Sequence, residues 1–167
     1  MKKLVCTTCL VLMAGLLASC VFPGSTLKPG DRIGEMRLTT EYDMNINYLC
    51  GFDELDAGTC QIPAAVSILG VSTGWSEDTA EELDAAFKDS VWTMTVDGRK
   101  IDLPSFGTFD LDWGEQKARV WDVGLSNLTL GEHTVRYEFY LENAVERGNH
   151  TVVYQFTVVA ASPTQSP

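Results

Sequence analysis

The stretch Val135-Arg136-Tyr137-Glu138-Phe139-Tyr140-Leu141 decides the fold class. Apolar and polar side chains alternate along it with a period of two, which turns one face of an extended chain toward a core and the other toward water. The pattern recurs upstream from Arg119 to Leu125, where Trp121, Val123 and Leu125 share a face. It recurs downstream from Val152 to Val158, where Tyr154 and Phe156 are separated by Gln155. Trp92, Met94 and Val96 alternate with Thr93 and Thr95, and the Asp97-Gly98 pair that follows is a hairpin signal leading to Ile101 and Leu103. Short alternating strands joined by turns predict a mainly β protein, an antiparallel β-sandwich rather than a βαβ fold.

One short α-helix interrupts this pattern. Thr79 and Glu82 have capping-box spacing, and Ala80, Leu83, Ala86 and Phe87 form an apolar stripe at helical spacing before Asp89. Between Asp31 and Gly74 the periodicity is weaker. Ile33–Thr40 and Met44–Cys50 alternate as strands do, Cys50–Cys60 encloses an acidic loop with Asp53, Glu54 and Asp56, and Ala64–Leu69 suits a short buried strand.

The start of the chain addresses a compartment. Lys2-Lys3, an apolar run from Leu4 to Leu17 and the small residues before Cys20 describe an export signal too short to span a bilayer. Leu17-Ala18-Ser19-Cys20 resembles the lipobox of bacterial lipoproteins. The resemblance implies removal of residues 1–19 and lipidation of Cys20, which would anchor the chain on the extracytoplasmic side of a bacterial membrane. Residues 20–30, rich in Pro, Gly and Ser, read as a tether; 31–159 as the sandwich domain with an N-terminal extension; and 160–167 as a disordered tail. Cys6 and Cys9 fall inside the removed segment. With Cys20 acylated, Cys50 and Cys60 are the remaining thiols, and in an oxidising compartment they are expected to form a disulfide. A net charge of −11 argues against nucleic acid as a partner.

The run Leu128-Thr129-Leu130-Gly131-Glu132-His133-Thr134-Val135-Arg136-Tyr137 resembles the E–F corner and F strand of immunoglobulin-like and fibronectin-III-like modules. The resemblance implies an F–G loop over Glu142–Asn149 and a G strand over Thr151–Val159. His133 stands where those families often carry a corner tyrosine, and no B–F cysteine pair is present. The wider pattern of Glu81–Phe87, Trp92–Gly98, Ile101–Asp110 and Gly131–Tyr137 resembles lipoproteins of environmental bacteria and implies no activity.

Several residues invite chemistry. Gly70-Val71-Ser72-Thr73-Gly74 fits the G-x-S-x-G elbow of serine hydrolases, which needs a histidine base; His133 and His150 both fall in the strand-rich half, far from any βαβ unit. Those two histidines lack a metal-binding spacing. Asp110, Asp112 and Glu115 place hard oxygen donors around Gly114 as a weak calcium pattern, and Asp53, Glu54 and Asp56 form a second acidic cluster. Trp92 and Trp121 lie in alternating strands and suit the core, whereas Trp75 and Trp113 lie in segments that read as loops and are the candidates for a ligand-binding surface.

Together these features point to an envelope-anchored, non-catalytic binding or structural module with no cofactor, whose partners are the membrane through the lipid and a protein or carbohydrate ligand. The alternative is a small hydrolase or a carbohydrate-processing accessory protein. Mass spectrometry of membrane-extracted protein should find an acylated N-terminus at Cys20; an intact Met1, or cleavage elsewhere, would contradict the lipobox reading.

Overall fold

The computed structural model describes residues 25–160; the signal segment 1–19, Cys20 and the tail beyond Ala160 lie outside the described residues. The strands in chain order are β1 (Arg32–Ile33), β2 (Met36–Thr39), β3 (Met44–Asn45), β4 (Cys60–Pro63), β5 (Ile68–Glu77) and β6 (Val91–Val96). They continue with β7 (Arg99–Ile101), β8 (Phe109–Trp113), β9 (Gln116–Ser126), β10 (Gly131–Leu141) and β11 (Gly148–Val159). The α-helices are α1 (Ile46–Leu49), α2 (Phe52–Asp56) and α3 (Ala80–Lys88).

These strands form two sheets. The first has the order β1-β2-β9-β5-β3, with β8 pairing the N-terminal half of β9; the second has the order β4-β11-β10-β6-β7. Leu69, Val71, Val123 and Leu125 from the first sheet meet Met94, Val96, Val135 and Phe156 from the second in one buried cluster. The protein is therefore a mainly β, two-sheet sandwich, held together by the inward residues of the alternating strands. Most pairings are antiparallel, while β3–β5 and β4–β11 are parallel.

The chain switches sheets between β9 and β10. His133 ties this corner down, with Nε2 2.8 Å from the Thr129 carbonyl oxygen and Nδ1 2.8 Å from an Asp97 carboxylate oxygen. Asp97 belongs to the β6–β7 hairpin, whose two turn residues, Asp97 and Gly98, both take positive φ as their sequence predicts. Trp92, Phe139 and His150 stack in series, with ring centroids 4.3 and 4.9 Å apart, and Phe87 of α3 stacks on Trp92 from the other side. Helix α3 forms where the capping box places it: Glu82 N–H donates to Thr79 Oγ1, and Thr79 N–H donates to Glu82 Oε2.

The N-terminal third departs from the sequence reading. Met44–Cys50 is a two-residue strand followed by one turn of helix, because Asn45 accepts the Asn47 N–H and caps α1. The expected Cys50–Cys60 loop contains α2, begun where Gly51 N–H donates to Glu54 Oε2. The single expected helix is thus joined by two shorter ones. Ala64–Leu69 is mostly turn; the strand starts at Ile68 and runs on through the G-x-S-x-G motif to Glu77. Within the segment read as a tether, Leu27 is buried and bridges Ile101, so packing begins before Gly30.

Cys50 and Cys60 are joined, with their Cα atoms 5.7 Å apart, and so tie α1 and α2 to β4. Reducing this bond should lower unfolding free energy by about 2–3 kcal/mol, the loop-closure value for so short a ring. Urea titrations with and without reductant measure it, and coincident curves would contradict it.

Candidate functional site

Strand β5 positions the site. Gly70 and Gly74 suggest a turn in the sequence, yet neither has positive φ, and both lie within a continuous ladder from Ile68↔Ser126 to Glu77↔Lys117. They are glycines of close approach. A Cβ on Gly70 would sit 2.6 Å from the Tyr42 ring, and one on Gly74 would strike the Arg119 carbonyl oxygen. The odd-numbered residues of β5 face the core, where Trp75 packs edge-on against Phe139 at 5.8 Å; the even-numbered Gly70, Ser72, Gly74 and Ser76 lie on the outer face.

One edge of β5 is fully paired with β9. Along the other, β3 pairs only with Leu69 and Gly70 before the chain turns into α1. Asp43 N–H donates to the Ile68 carbonyl at 3.0 Å, which fixes the phase: even-numbered residues of β5 direct their backbone groups toward the β3 side. Beyond β3, the N–H and C=O groups of Ser72, Gly74 and Ser76 therefore face outward with no neighbouring strand among the described residues.

A groove of about 280 Å³ runs along this open edge. Five consecutive β5 residues, Ser72 to Ser76, line it. Alternate residues of a strand point to opposite faces, so consecutive ones can share a groove only where it follows the strand's edge. Its inner flank is formed by residues of the second sheet's inner face, Tyr137, Phe139, Val152 and Tyr154, of which all but Val152 are buried. Its outer flank is Trp113 with Ala118 and Val120, and Asn47 of α1 and Phe52 of α2 close one end.

The groove brings Trp75 and Trp113 together. Both stand on strands rather than in the expected loops: Trp75 is half-buried on β5, and Trp113, 57% exposed, ends β8 beside the Gly114-Glu115 turn. Trp75 Nε1–H donates to Glu77 at 2.9 Å, which fixes its ring. Three buried side-chain oxygens lack a hydrogen-bond partner among the described residues, Tyr137 OH, Asn47 Oδ1 and Asp122 Oδ2, and the first two belong to residues that line the groove. Burial pushes the Tyr137 hydroxyl well above the ordinary tyrosine range, so it is a neutral O–H. The site thus offers aromatic faces, unpaired backbone and two unspent side-chain partners.

Ser72 has a different environment from a nucleophile elbow. Its hydroxyl donates to Asp122 Oδ1 across the ladder and accepts from the Asn45 amide, whose own oxygen caps α1. The Tyr42 hydroxyl close by is pushed up to about 12 by burial and by the Asp122 carboxylate. His133 is held by Thr129 and Asp97, and His150 stacks on Phe139 with Nε2 2.8 Å from the Glu146 carbonyl oxygen, so both histidines have partners other than Ser72.

Of the carboxylates singled out for calcium, Asp110 and Asp112 are matched to cations. Asp110 receives Arg119 Nε and Nη2, each at 2.7 Å, and the guanidinium holds its carboxyl below the usual range; Asp112 receives Lys117 at 2.5 Å. Glu115 occupies the β8–β9 turn, and Asp53, Glu54 and Asp56 lie on α2. Among the described residues no three His, Cys, Asp or Glu side chains gather as a metal would require.

Phe52, Tyr137, Tyr154 and Asn47 are the lining residues that sequence reasoning missed. The available signal was the choice of tyrosine at inward positions 137 and 154, where a sealed core would favour phenylalanine.

No protein-family model matches the chain, and no curated protein matches it. Among solved structures it is similar to a cysteine protease inhibitor from Entamoeba histolytica, with 8% identity over 59% of this chain and 82% of that one at a TM-score of 0.33. It is also similar to the CooA pilin subunit from enterotoxigenic Escherichia coli, with 11% identity over 62% and 90% of the two chains at a TM-score of 0.20. Similarities at these scores carry no argument about function.

Proposed function

We propose that this chain is a lipid-anchored, extracytoplasmic binding module of a bacterial envelope, non-catalytic, which seats a protein or carbohydrate ligand in the groove along β5. The observation that carries the reading is the convergence of Trp75, Trp113, Phe52 and Tyr154 on one groove whose walls hold the unpartnered Tyr137 OH and Asn47 Oδ1. Aromatic faces supply contact area at small conformational cost, and the polar atoms supply direction. The anchor rests on Leu17-Ala18-Ser19-Cys20. The sheet-switching corner held by His133 supports an immunoglobulin-like arrangement. The non-catalytic reading is supported by the place of Ser72 within a strand, its hydroxyl engaged by Asp122 and Asn45.

Binding to peptide and glycan arrays, followed by intrinsic fluorescence, tests this. Ligands should quench tryptophan emission, and Trp113→Ala should abolish the quench while leaving the unfolding midpoint in place, because Trp113 is largely exposed. A fluorophosphonate probe should leave the chain unlabelled; labelling that disappears in Ser72→Ala would replace the binding module with a hydrolase.

A further inference from the structure

We infer that the groove takes an extended polypeptide segment with basic flanks, which adds to the first sheet as a strand beside β5. This deepens the proposal that the groove is the binding site and rests on it.

Three observations select a strand over other occupants. First, the groove follows a backbone edge. A ligand recognised by side chains alone needs no such edge, whereas a strand would pair with the outward N–H and C=O groups of Ser72, Gly74 and Ser76. Second, the first sheet stops short there. β3 is parallel to β5 for two residues and then leaves as α1, and beyond it Phe139, Val152 and Tyr154 of the facing sheet line the groove. An added strand continues the line of β3 and covers them: its alternate side chains pack on these residues, and the intervening ones meet Trp113 on the outer flank. Third, the edge carries none of the usual protection. Among the described residues no Lys, Arg or Pro lines the groove; Gly74 is the middle one of its five β5 residues, and no bulge interrupts the ladder with β9.

Charge selects the kind of segment. The lining is uncharged, but both ends run into carboxylates. Asp53 follows Phe52 on α2, and the Asp56 charge acts on Tyr154. At the other end the exposed Asp78 lies two residues past Ser76, while Glu77 between them is buried and accepts from Trp75 Nε1–H and the Val145 N–H. Lysine or arginine on either side of an apolar core meets both ends favourably. The same charges oppose a second copy of this chain, because pairing β5 with β5 would bring two sets of carboxylates together in a protein of net charge −11.

The test is selection of random short peptides displayed against the full chain. Enriched sequences should alternate apolar and polar residues between Lys or Arg, should lose affinity as salt is raised, and should bind Trp113→Ala about tenfold or more weakly. The decisive measurement uses one enriched peptide with single N-methyl groups placed along its backbone. Methylation at every second amide, those facing β5, should abolish binding, while methylation at the others should leave it unchanged. Binding that depends on Trp113 but ignores N-methylation would overturn strand addition and leave the groove as the site. Binding indifferent to Trp113→Ala and to Phe52→Ala would instead overturn the groove itself. Failure to enrich any peptide, or self-association of the chain through β5, would overturn the inference.

Discussion

The rest of the molecule is organised around the unequal edges of β5. Its ten residues are paired with β9 on one side, whereas β3 covers only the first part of the other. The paired edge sets the register that puts Leu69, Val71 and Thr73 into the core and Ser72 opposite Asp122. The open edge and the facing residues Tyr137, Phe139, Val152 and Tyr154 bound the groove between them. α1 and α2 follow where β3 ends and close one end of the groove, and the Cys50–Cys60 bond holds them against β4. Asn45 belongs to both halves of this arrangement, since its oxygen caps α1 while its amide reaches Ser72. The point at which β3 ends is therefore the point at which the groove begins.

The β-rich half was legible because strands such as β6 and β10 keep one wetter and one drier face, although β9 is buried on both faces from Val120 to Leu125. Period two is then printed directly in the residues from Trp92 to Val96 and from Val135 to Leu141, and the Asp97-Gly98 turn needs only local φ preferences. α3 was legible for a similar reason: its cap and its apolar stripe are both local. The segment from Met44 to Leu69 was not. Ile46, Leu55 and Ile62 are fully buried, but in elements of four or five residues, too short for either period to declare itself.

The glycines of β5 misled in an instructive way. Gly70 and Gly74 carry the composition of a turn, and only the positions of Tyr42 and the Arg119 carbonyl explain why a strand needs them there. Those are long-range contacts that local sequence cannot express. Trp75 and Trp113 were identifiable as binding candidates because tryptophan beside glycine and acid fits poorly into a core pattern. Their meeting in one groove depends on the β8–β9 hairpin folding Trp113 back beside Ala118, which follows from the ladder rather than from either residue's surroundings.

An unpaired edge on β5 is the claim on which this account stands, and amide hydrogen exchange resolved to single residues addresses it most directly. In the free protein the amides of Thr73 and Trp75, which face β9, should be protected to the level of global unfolding, whereas those of Ser72, Gly74 and Ser76 should exchange far faster. Uniform protection from Ser72 to Ser76 would show that the edge is already occupied, and both the groove and the added strand would fall with it.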